Sequence, residues 1–158
     1  MFRQILTTLD GSEYAERALN YTRDLARIAD AHVKLLMVVS ATGPSNPTND
    51  SRGRAALAYL EPEAIILREA GISEVETQVM FGEPAQLITE AAREQQADLI
   101  VMSTQGLGAD GRYAVGSVAL QVLMTAPCPV FLVRINKPEP PRTAAEERWQ
   151  AEGGRNVG

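Results

Sequence analysis

A buried-strand pattern and a glycine-rich loop occupy residues 97–117, ADLIVMSTQGLGADGRYAVGS. The run from Leu99 to Met102 is continuously apolar, which is typical of a central strand in a parallel sheet that is covered on both faces. The loop ends at Gly116 and Ser117, where a short helix, roughly Ser117 to Thr125, is predicted. A strand, a loop and a helix in this order are part of a βαβ unit, the building block of α/β folds.

The same alternation extends over the rest of the chain. The other predicted strands are Gln4 to Leu9, Val33 to Val39, Val75 to Phe81 and Val130 to Val133, and the other helices begin near Ser12, Arg52 and Pro84. Pro62 lies inside the second predicted helix and is expected to split or bend it, because proline lacks a backbone donor. Repeated βαβ units close right-handed. We therefore predict an α/β, Rossmann-like fold, a doubly wound five-stranded parallel sheet in the order 3-2-1-4-5 with helices on both faces.

The predicted topology indicates where a ligand binds. In doubly wound sheets ligands lie beyond the carboxyl ends of the strands, where the strand order reverses. That position corresponds to Asp10, after the first strand, and to the glycine-rich loop after the fourth. Backbone amides at a helix start attract anions, so the segment at Gly116 and Ser117 suits a phosphate. Two alternatives stay open: a flexible loop with an ordinary serine cap, and an Asp10 that only caps the first helix.

Two familiar phosphate-binding motifs are excluded. Residues 106–111, GLGADG, match the G-x-G-x-x-G dinucleotide pattern, but they follow the fourth strand instead of opening the first βα turn, and no acidic residue follows at about 20 positions. A P-loop is absent because no G-K-[S/T] occurs, and the chain's lysines, Lys34 and Lys137, lie elsewhere. NAD, FAD and phosphoryl transfer through a Walker lysine are therefore not expected.

The composition narrows the class of protein further. A formal net charge of −5 argues against a nucleic-acid partner, for which a basic surface is expected. The single cysteine, Cys128, the lack of an apolar leader and the lack of a run long enough to span a bilayer favour a cytoplasmic protein without membrane contact. His32 is the one histidine, and no metal site is predicted.

Six segments together resemble the universal stress protein family over roughly Met1 to Ile135. They are Ile5-Leu6-x-x-x-Asp10-Gly11-Ser12, Leu35 to Val39, Gly82-Glu83-Pro84-Ala85, Ala97 to Met102, and the closing pair Gly116-Ser117-Val118 and Ala126-Pro127-Cys128-Pro129-Val130. In nucleotide-binding members the loop has a glycine, two residues, a second glycine, nine residues, and a glycine followed by Ser or Thr. This chain keeps Gly106, the nine-residue interval and Gly116-Ser117, and has Ser103 at the first position.

The resemblance implies an ATP-binding regulator of the stress response, with Mg²⁺ accompanying the nucleotide. The implied nucleotide-binding residues are Asp10, Val38, Val39, Met102, Ser103, Gly106, Gly116, Ser117 and Val118. No catalytic residue is predicted, because the sequence offers no Walker lysine and no recognisable general base. Ser103 motivates one alternative, a nucleotide-free dimeric scaffold, and slow ATP hydrolysis is another.

The last predicted strand and the segment after it bear on whether the protein forms a dimer. The predicted domain spans residues 1–135, and residues 136–158, rich in proline and charge, are expected to form a flexible tail. In the expected strand order the segment from Cys128 to Ile135 lies at a sheet edge, where unpaired backbone groups favour pairing with a second copy. We therefore predict a homodimer through this strand, with shielding of the edge by the tail as the alternative.

Overall fold

Strands and helices alternate throughout the described part of the chain. The computed structural model describes residues 1–40, 51–105 and 115–134. The elements in chain order are β1 (Gln4–Leu9), α1 (Glu13–Ala29), β2 (His32–Val39), α2 (Ser51–Glu69), β3 (Val75–Phe81), α3 (Pro84–Glu94), β4 (Leu99–Ser103), α4 (Ser117–Thr125) and β5 (Val130–Val133). The central part of the predicted loop after Ser40, residues 106–114 with Gly106, and the predicted tail lie outside the described residues.

All five strands join one parallel sheet in the order β3-β2-β1-β4-β5. The predicted topology is therefore confirmed. β1 lies at the centre, with β2 on one side and β4 on the other, so the chain reverses its direction of travel across the sheet after β3. This reversal places the carboxyl ends of β1 and β4 side by side, which is where a doubly wound fold opens a cleft.

Each face of the sheet carries its own hydrophobic core. One face packs against α1 and α2 through buried side chains that include Ile5, Leu35 and Leu60. The other packs against α3 and α4 and includes Leu6, Leu36 and Ile100. Neighbouring residues such as Ile5 and Leu6 serve opposite cores because side chains alternate along a strand. Coverage on both faces explains why every residue of β4 is buried.

Of the two expected effects of Pro62, a split or a bend in the second helix, the structure contradicts the split. Pro62 lies inside a single helix, α2. Its ring is on the exposed face, so the carbonyl that loses its hydrogen bond can be solvated by water. Leu60 and Leu67, on either side of Pro62, are buried in the core and anchor both parts of the helix.

A carboxylate fastens the amino ends of the central strands. The side chain of Asp98 accepts hydrogen bonds from the backbone N–H groups of Arg3 (2.8 Å) and Gln4 (3.0 Å). These two bonds to the charged form hold the pKa of Asp98 below its usual value. The contact joins residues more than ninety positions apart and fixes the start of β1 next to the start of β4.

Candidate functional site

A cleft of about 390 Å³ opens at the carboxyl ends of β1 and β4. Its lining residues come from four regions: the end of β1 with the start of α1, β2 together with α3, the end of β4, and the start of α4. They are Thr8, Leu9, Asp10, Ala15, Leu36, Val38, Pro84, Ile88, Met102, Ser103, Thr104, Gln105, Gly116, Ser117, Val118 and Ala119. The size suits a small organic ligand.

The first wall is the turn from β1 into α1. Asp10 Oδ1 accepts hydrogen bonds from the backbone N–H of Ser12 (3.0 Å) and from Ser12 Oγ (2.5 Å). Ser12 Oγ in turn accepts from the N–H of Ala15 (3.1 Å), so Ser12 is the N-cap of α1. Gly11 between them has a φ of +83°, which an L side chain rarely adopts. Asp10 is thus both a turn residue, as one alternative held, and part of the cleft wall.

Acidic groups gather around the first turn of α1. Glu13 and Glu16 lie in that turn, and the hydroxyl of Tyr59 on α2 donates to Glu16 Oε1 (3.2 Å). Burial, with the nearby Glu16 carboxylate, raises the pKa of Tyr59 well above its usual value. The same two causes, burial first, raise the pKa of Glu63. This end of α1 is therefore negatively charged and already capped.

The second wall is the exit from β4. Ser103, the last residue of β4, is 9 % exposed, and its hydroxyl donates to the carbonyl oxygen of Gln105. Thr104 connects three segments: its N–H donates to the carbonyl of Val133 in β5 (3.1 Å), and its carbonyl accepts from the N–H of Gly116 (2.7 Å). The two ends of the glycine-rich loop are therefore joined at their base by Thr104 and Gly116.

Gly116 is required by this close approach and not by an unusual φ. Its backbone is extended, with φ −60° and ψ 153°, but a β-carbon there would lie 3.2 Å from the carbonyl oxygen of Thr104. That distance is tighter than most contacts of a real β-carbon. Glycine at this position lets the start of α4 approach β4 closely.

The start of α4 offers backbone donors to the cleft. The first amides of a helix lack intrahelical acceptors, and among the described residues no side chain caps α4. Its first turn, SVAL, contains no carboxylate, so the positive end of the helix dipole is not neutralised from within. Gly116, Ser117 and Val118 line the cleft at this point. The arrangement suits an anionic group such as a phosphate.

The opposite part of the cleft is apolar. Leu36 and Val38 of β2, Ile88 of α3 and Met102 of β4 line it. All four also belong to, or pack against, the core between the sheet and α3–α4. This part of the cleft therefore suits an apolar group, while the start of α4 suits an anionic one.

The structure places seven of the nine predicted site residues on the cleft wall: Asp10, Val38, Met102, Ser103, Gly116, Ser117 and Val118. Val39 is not among the lining residues; its carbonyl accepts from the N–H of Gly82 (3.0 Å) beside the cleft. Gly106 lies outside the described residues. Thr8 lines the cleft, although it carries no predicted role.

Sequence reasoning missed the residues that reach the cleft only through tertiary packing. They include Leu36, Ile88 and Ala15. Each lies within a predicted helix or strand, and no local signal distinguishes a core residue at the end of an element from one that also faces a cleft. The signal that exists is positional, since all three lie near the carboxyl end of a strand or the first turns of a helix.

His32 and Cys128 lie away from this cleft. His32 Nδ1 lies 3.0 Å from a carboxylate oxygen of Glu74, at the amino end of the sheet. Burial raises the pKa of the Cys128 thiol, so the reactive thiolate is disfavoured. Within residues 1–40, 51–105 and 115–134, no group of three or more His, Cys, Asp or Glu side chains could hold a metal ion. None of the helices in these ranges is long and apolar enough to cross a membrane.

Comparison with known proteins assigns the family. A universal stress protein of Thermus aquaticus is 38 % identical over 142 residues, which are 85 % of this chain and the whole of the relative. A universal stress protein solved in complex with cAMP (21 % identical, TM-score 0.70) covers 84 % of this chain and 97 % of its own. One from Archaeoglobus fulgidus, solved with dAMP (24 % identical, TM-score 0.62), has the same coverage; at these identities both show the fold alone. Residues 1–134 match the Universal stress protein family, and the chain belongs to it.

Proposed function

We propose that this chain binds an adenine nucleotide, ATP accompanied by Mg²⁺, in the cleft between β1 and β4, and that it acts as a stress-response regulator. The observation that carries the proposal is the uncapped start of α4, which opens into a cleft whose other end is apolar. A nucleotide has the same two unlike ends. The base would lie against Val38 and Met102, and the phosphates at Gly116 and Ser117.

The comparisons support the same ligand class. One solved relative holds cAMP and another dAMP. These ligands share adenine, a sugar and a phosphate. By extension from those two proteins, adenine binds on the apolar wall of the cleft in this chain. That the ligand carries three phosphates, as in ATP, is a further part of the proposal.

Charge supports a role for a divalent cation. Among the described residues that line the cleft, Asp10 is the one with a charged side chain. A triphosphate therefore meets no described cation on the wall, and Mg²⁺ is commonly held by one or two carboxylates together with phosphate oxygens. Asp10 is the residue that fits this role. When bound, the ion would neutralise phosphate charge next to this carboxylate.

Equilibrium binding of ATP to the purified chain, with and without Mg²⁺, tests the proposal. We expect saturable binding that weakens when Mg²⁺ is removed, and mass spectrometry of freshly purified protein should detect released adenine nucleotide. GTP serves as the matched control, because it has the same phosphates and a different base. Absence of saturable binding at millimolar ATP in Mg²⁺ buffer would contradict the proposal.

Slow ATP hydrolysis is a second candidate, and the carboxylate of Asp10 on the cleft wall is the observation that favours it. Phosphate release should then be lost in Asp10→Asn even at ATP concentrations that saturate the weaker binding expected of this variant. Turnover that survives this change would not belong to this site.

A nucleotide-free scaffold is the competing role. It was suggested by Ser103, which stands where nucleotide-binding members of the family have glycine. Among the described residues other than glycine, positive φ occurs at Asp30 and Gln96, so the backbone at Ser103 does not require glycine. If Ser103→Gly bound ATP and the natural chain did not, the scaffold role would be favoured. Equal binding by both would remove its motive.

We further propose a homodimer through the segment Cys128 to Ile135, of which residues 128–134 are described. β5 pairs with β4 on one side only, and its other edge is unpaired within the described sheet. Exposed apolar side chains lie on β5 and on the helix before it: Phe131, whose ring lies 5.5 Å from that of Tyr21, is 37 % exposed, and Leu120 and Leu123 of α4 are each 50 % exposed. Two copies paired antiparallel would cover these groups by two-fold symmetry.

Light scattering of variants tests the dimer. Phe131→Lys combined with Leu123→Glu should convert a dimeric mass to a monomeric one with the circular dichroism unchanged. Ile65→Lys is the matched control, since Ile65 is 48 % exposed but lies on α2. A natural chain that is monomeric at high micromolar concentration would refute the dimer.

A further inference from the structure

The hydroxyl of Ser103 has a fixed hydrogen-bonding role. A carbonyl oxygen can only accept, so in the contact between Ser103 Oγ and the carbonyl of Gln105 the serine must donate its single proton. The two lone pairs of Oγ are what remains. Since Ser103 lines the cleft, any further hydrogen bond that this hydroxyl makes to a ligand is one that it accepts.

This direction decides which ligand groups suit the position. A phosphate oxygen carries lone pairs and negative charge, so it would face an acceptor with an acceptor and would gain nothing. A ligand hydroxyl can donate its proton to Ser103 Oγ. The contact with Gln105 therefore excludes Ser103 Oγ as a hydrogen-bond donor to a phosphate.

The position of Ser103 indicates which hydroxyl it meets. It follows Met102, on the apolar wall, and it is followed by Thr104, whose carbonyl is bonded to Gly116 at the start of α4. It therefore lies between the wall proposed for the base and the amides proposed for the phosphates. In a nucleotide the group between base and phosphate is the sugar.

We propose that Ser103 is a specificity-determining residue that accepts a hydrogen bond from a sugar hydroxyl and so makes the cleft prefer ribonucleotides to their deoxy counterparts. The inference rests on the proposed nucleotide site. One hydrogen bond of this kind between uncharged groups contributes a factor of about five in affinity. A buried acceptor left without its donor adds to the discrimination.

The test is equilibrium binding of ATP, 2′-deoxyATP and 3′-deoxyATP to the natural chain and to two variants. The natural chain should bind ATP about fivefold more tightly than at least one of the deoxy analogues. Ser103→Ala should weaken ATP by about the same factor and leave that analogue unchanged, so that the preference disappears. Ser103→Thr keeps the hydroxyl and should restore the preference.

Two outcomes overturn the inference while the proposed function survives: equal affinity of the natural chain for all three nucleotides, or a Ser103→Ala variant that weakens all three equally. The second result would mean that the hydroxyl only holds the turn at Gln105. Thr125→Ala is the control, because its hydroxyl also donates to a backbone carbonyl (Gln121, 2.9 Å) but lies at the far end of α4. A natural chain that binds none of the three overturns the proposed function as well.

Discussion

Two helices begin beside the same cleft, and their first turns differ in every respect that matters to an anion. α1 has a serine N-cap, two glutamates in its first turn and a glycine-assisted turn that brings Asp10 onto the cap. α4 has Gly116 as its N-cap residue, no side-chain cap among the described residues, and no carboxylate in its first turn. The fold thus satisfies one helix start with its own side chains and leaves the other without a side-chain cap among the described residues.

In this site the capped start of α1 contributes to the stability of the fold, whereas the uncapped start of α4 is the one proposed to bind the ligand. A side-chain N-cap stabilises a protein by about 1 kcal/mol. A helix without one lacks this stabilisation, unless a bound ligand accepts hydrogen bonds from its first amides. The α1 start contributes shape and negative charge, and the α4 start contributes donors. Variants that make one start resemble the other test this separation.

Gly116→Asp should have the largest effect, because it gives α4 the kind of start that α1 has. The new carboxylate would cap the free amides and repel phosphate, so the dissociation constant for ATP should rise at least tenfold, about 1.4 kcal/mol. Gly116→Ala is the control for the added β-carbon alone, which would lie 3.2 Å from Thr104 O. Equal losses in both variants, measured by calorimetry, would mean that crowding and not charge closes the site.

Ser12→Ala opens the start of α1 instead. It removes the acceptor for the Ala15 N–H, so the free energy of unfolding should fall by about 1 kcal/mol in urea titrations. Ser117→Ala is the matched serine at the start of α4, where no cap bond is lost. A stability loss as large in Ser117→Ala would show that the two starts are not different in kind.

Ser117→Ala should instead affect binding. Its hydroxyl is on the cleft wall, and loss of one donor to a phosphate should weaken ATP by about threefold to tenfold with the urea midpoint nearly unchanged. Ser12→Ala should change the same affinity less. A larger loss of ATP affinity in Ser12→Ala than in Ser117→Ala would indicate that the phosphates bind at the start of α1 instead.

Glu63→Gln should have the smallest effect on stability, and it tests the acidic groups around the first turn of α1. Burial and Glu16 raise the pKa of Glu63 in the folded chain, so the folded state favours the protonated form, and stability from this group is present at low pH and lost as pH rises through the raised pKa. The variant should therefore be more stable than the natural chain at pH 7, by at most about 0.5 kcal/mol because water screens the site. The difference should vanish near pH 3; a gain that persists there would not be electrostatic.

Patterns of two kinds made the fold predictable from the sequence. Buried runs such as Leu99 to Met102 and cap residues such as Ser12 are local signals, and they located β4 and α1 correctly. The strand order followed from the βαβ connections. The split expected at Pro62 does not occur, because the effect of a proline depends on which face of the helix it occupies, and that is decided by tertiary packing.

The site was predictable in position and less so in chemistry. Asp10 and Gly116 lie on the cleft wall, as expected, because they follow strands one and four, which the topology brings together. The contact of Gly116 with Thr104 was not foreseeable, since it depends on an interatomic distance. The direction of the Ser103 hydroxyl was also hidden, because a hydroxyl can donate or accept until its partner is known.

The strand order has a further consequence for how the chain folds. β1, β2 and β3 pair with sequence neighbours, whereas β4 must return across more than ninety residues to pair with β1. Contacts of such long range close late, since they carry the largest loop-closure entropy. The cleft lies along this seam, with one wall from each half of the chain. A ligand that touches both walls would therefore act mainly on the reverse step, slowing unfolding while leaving the rate of folding nearly unchanged.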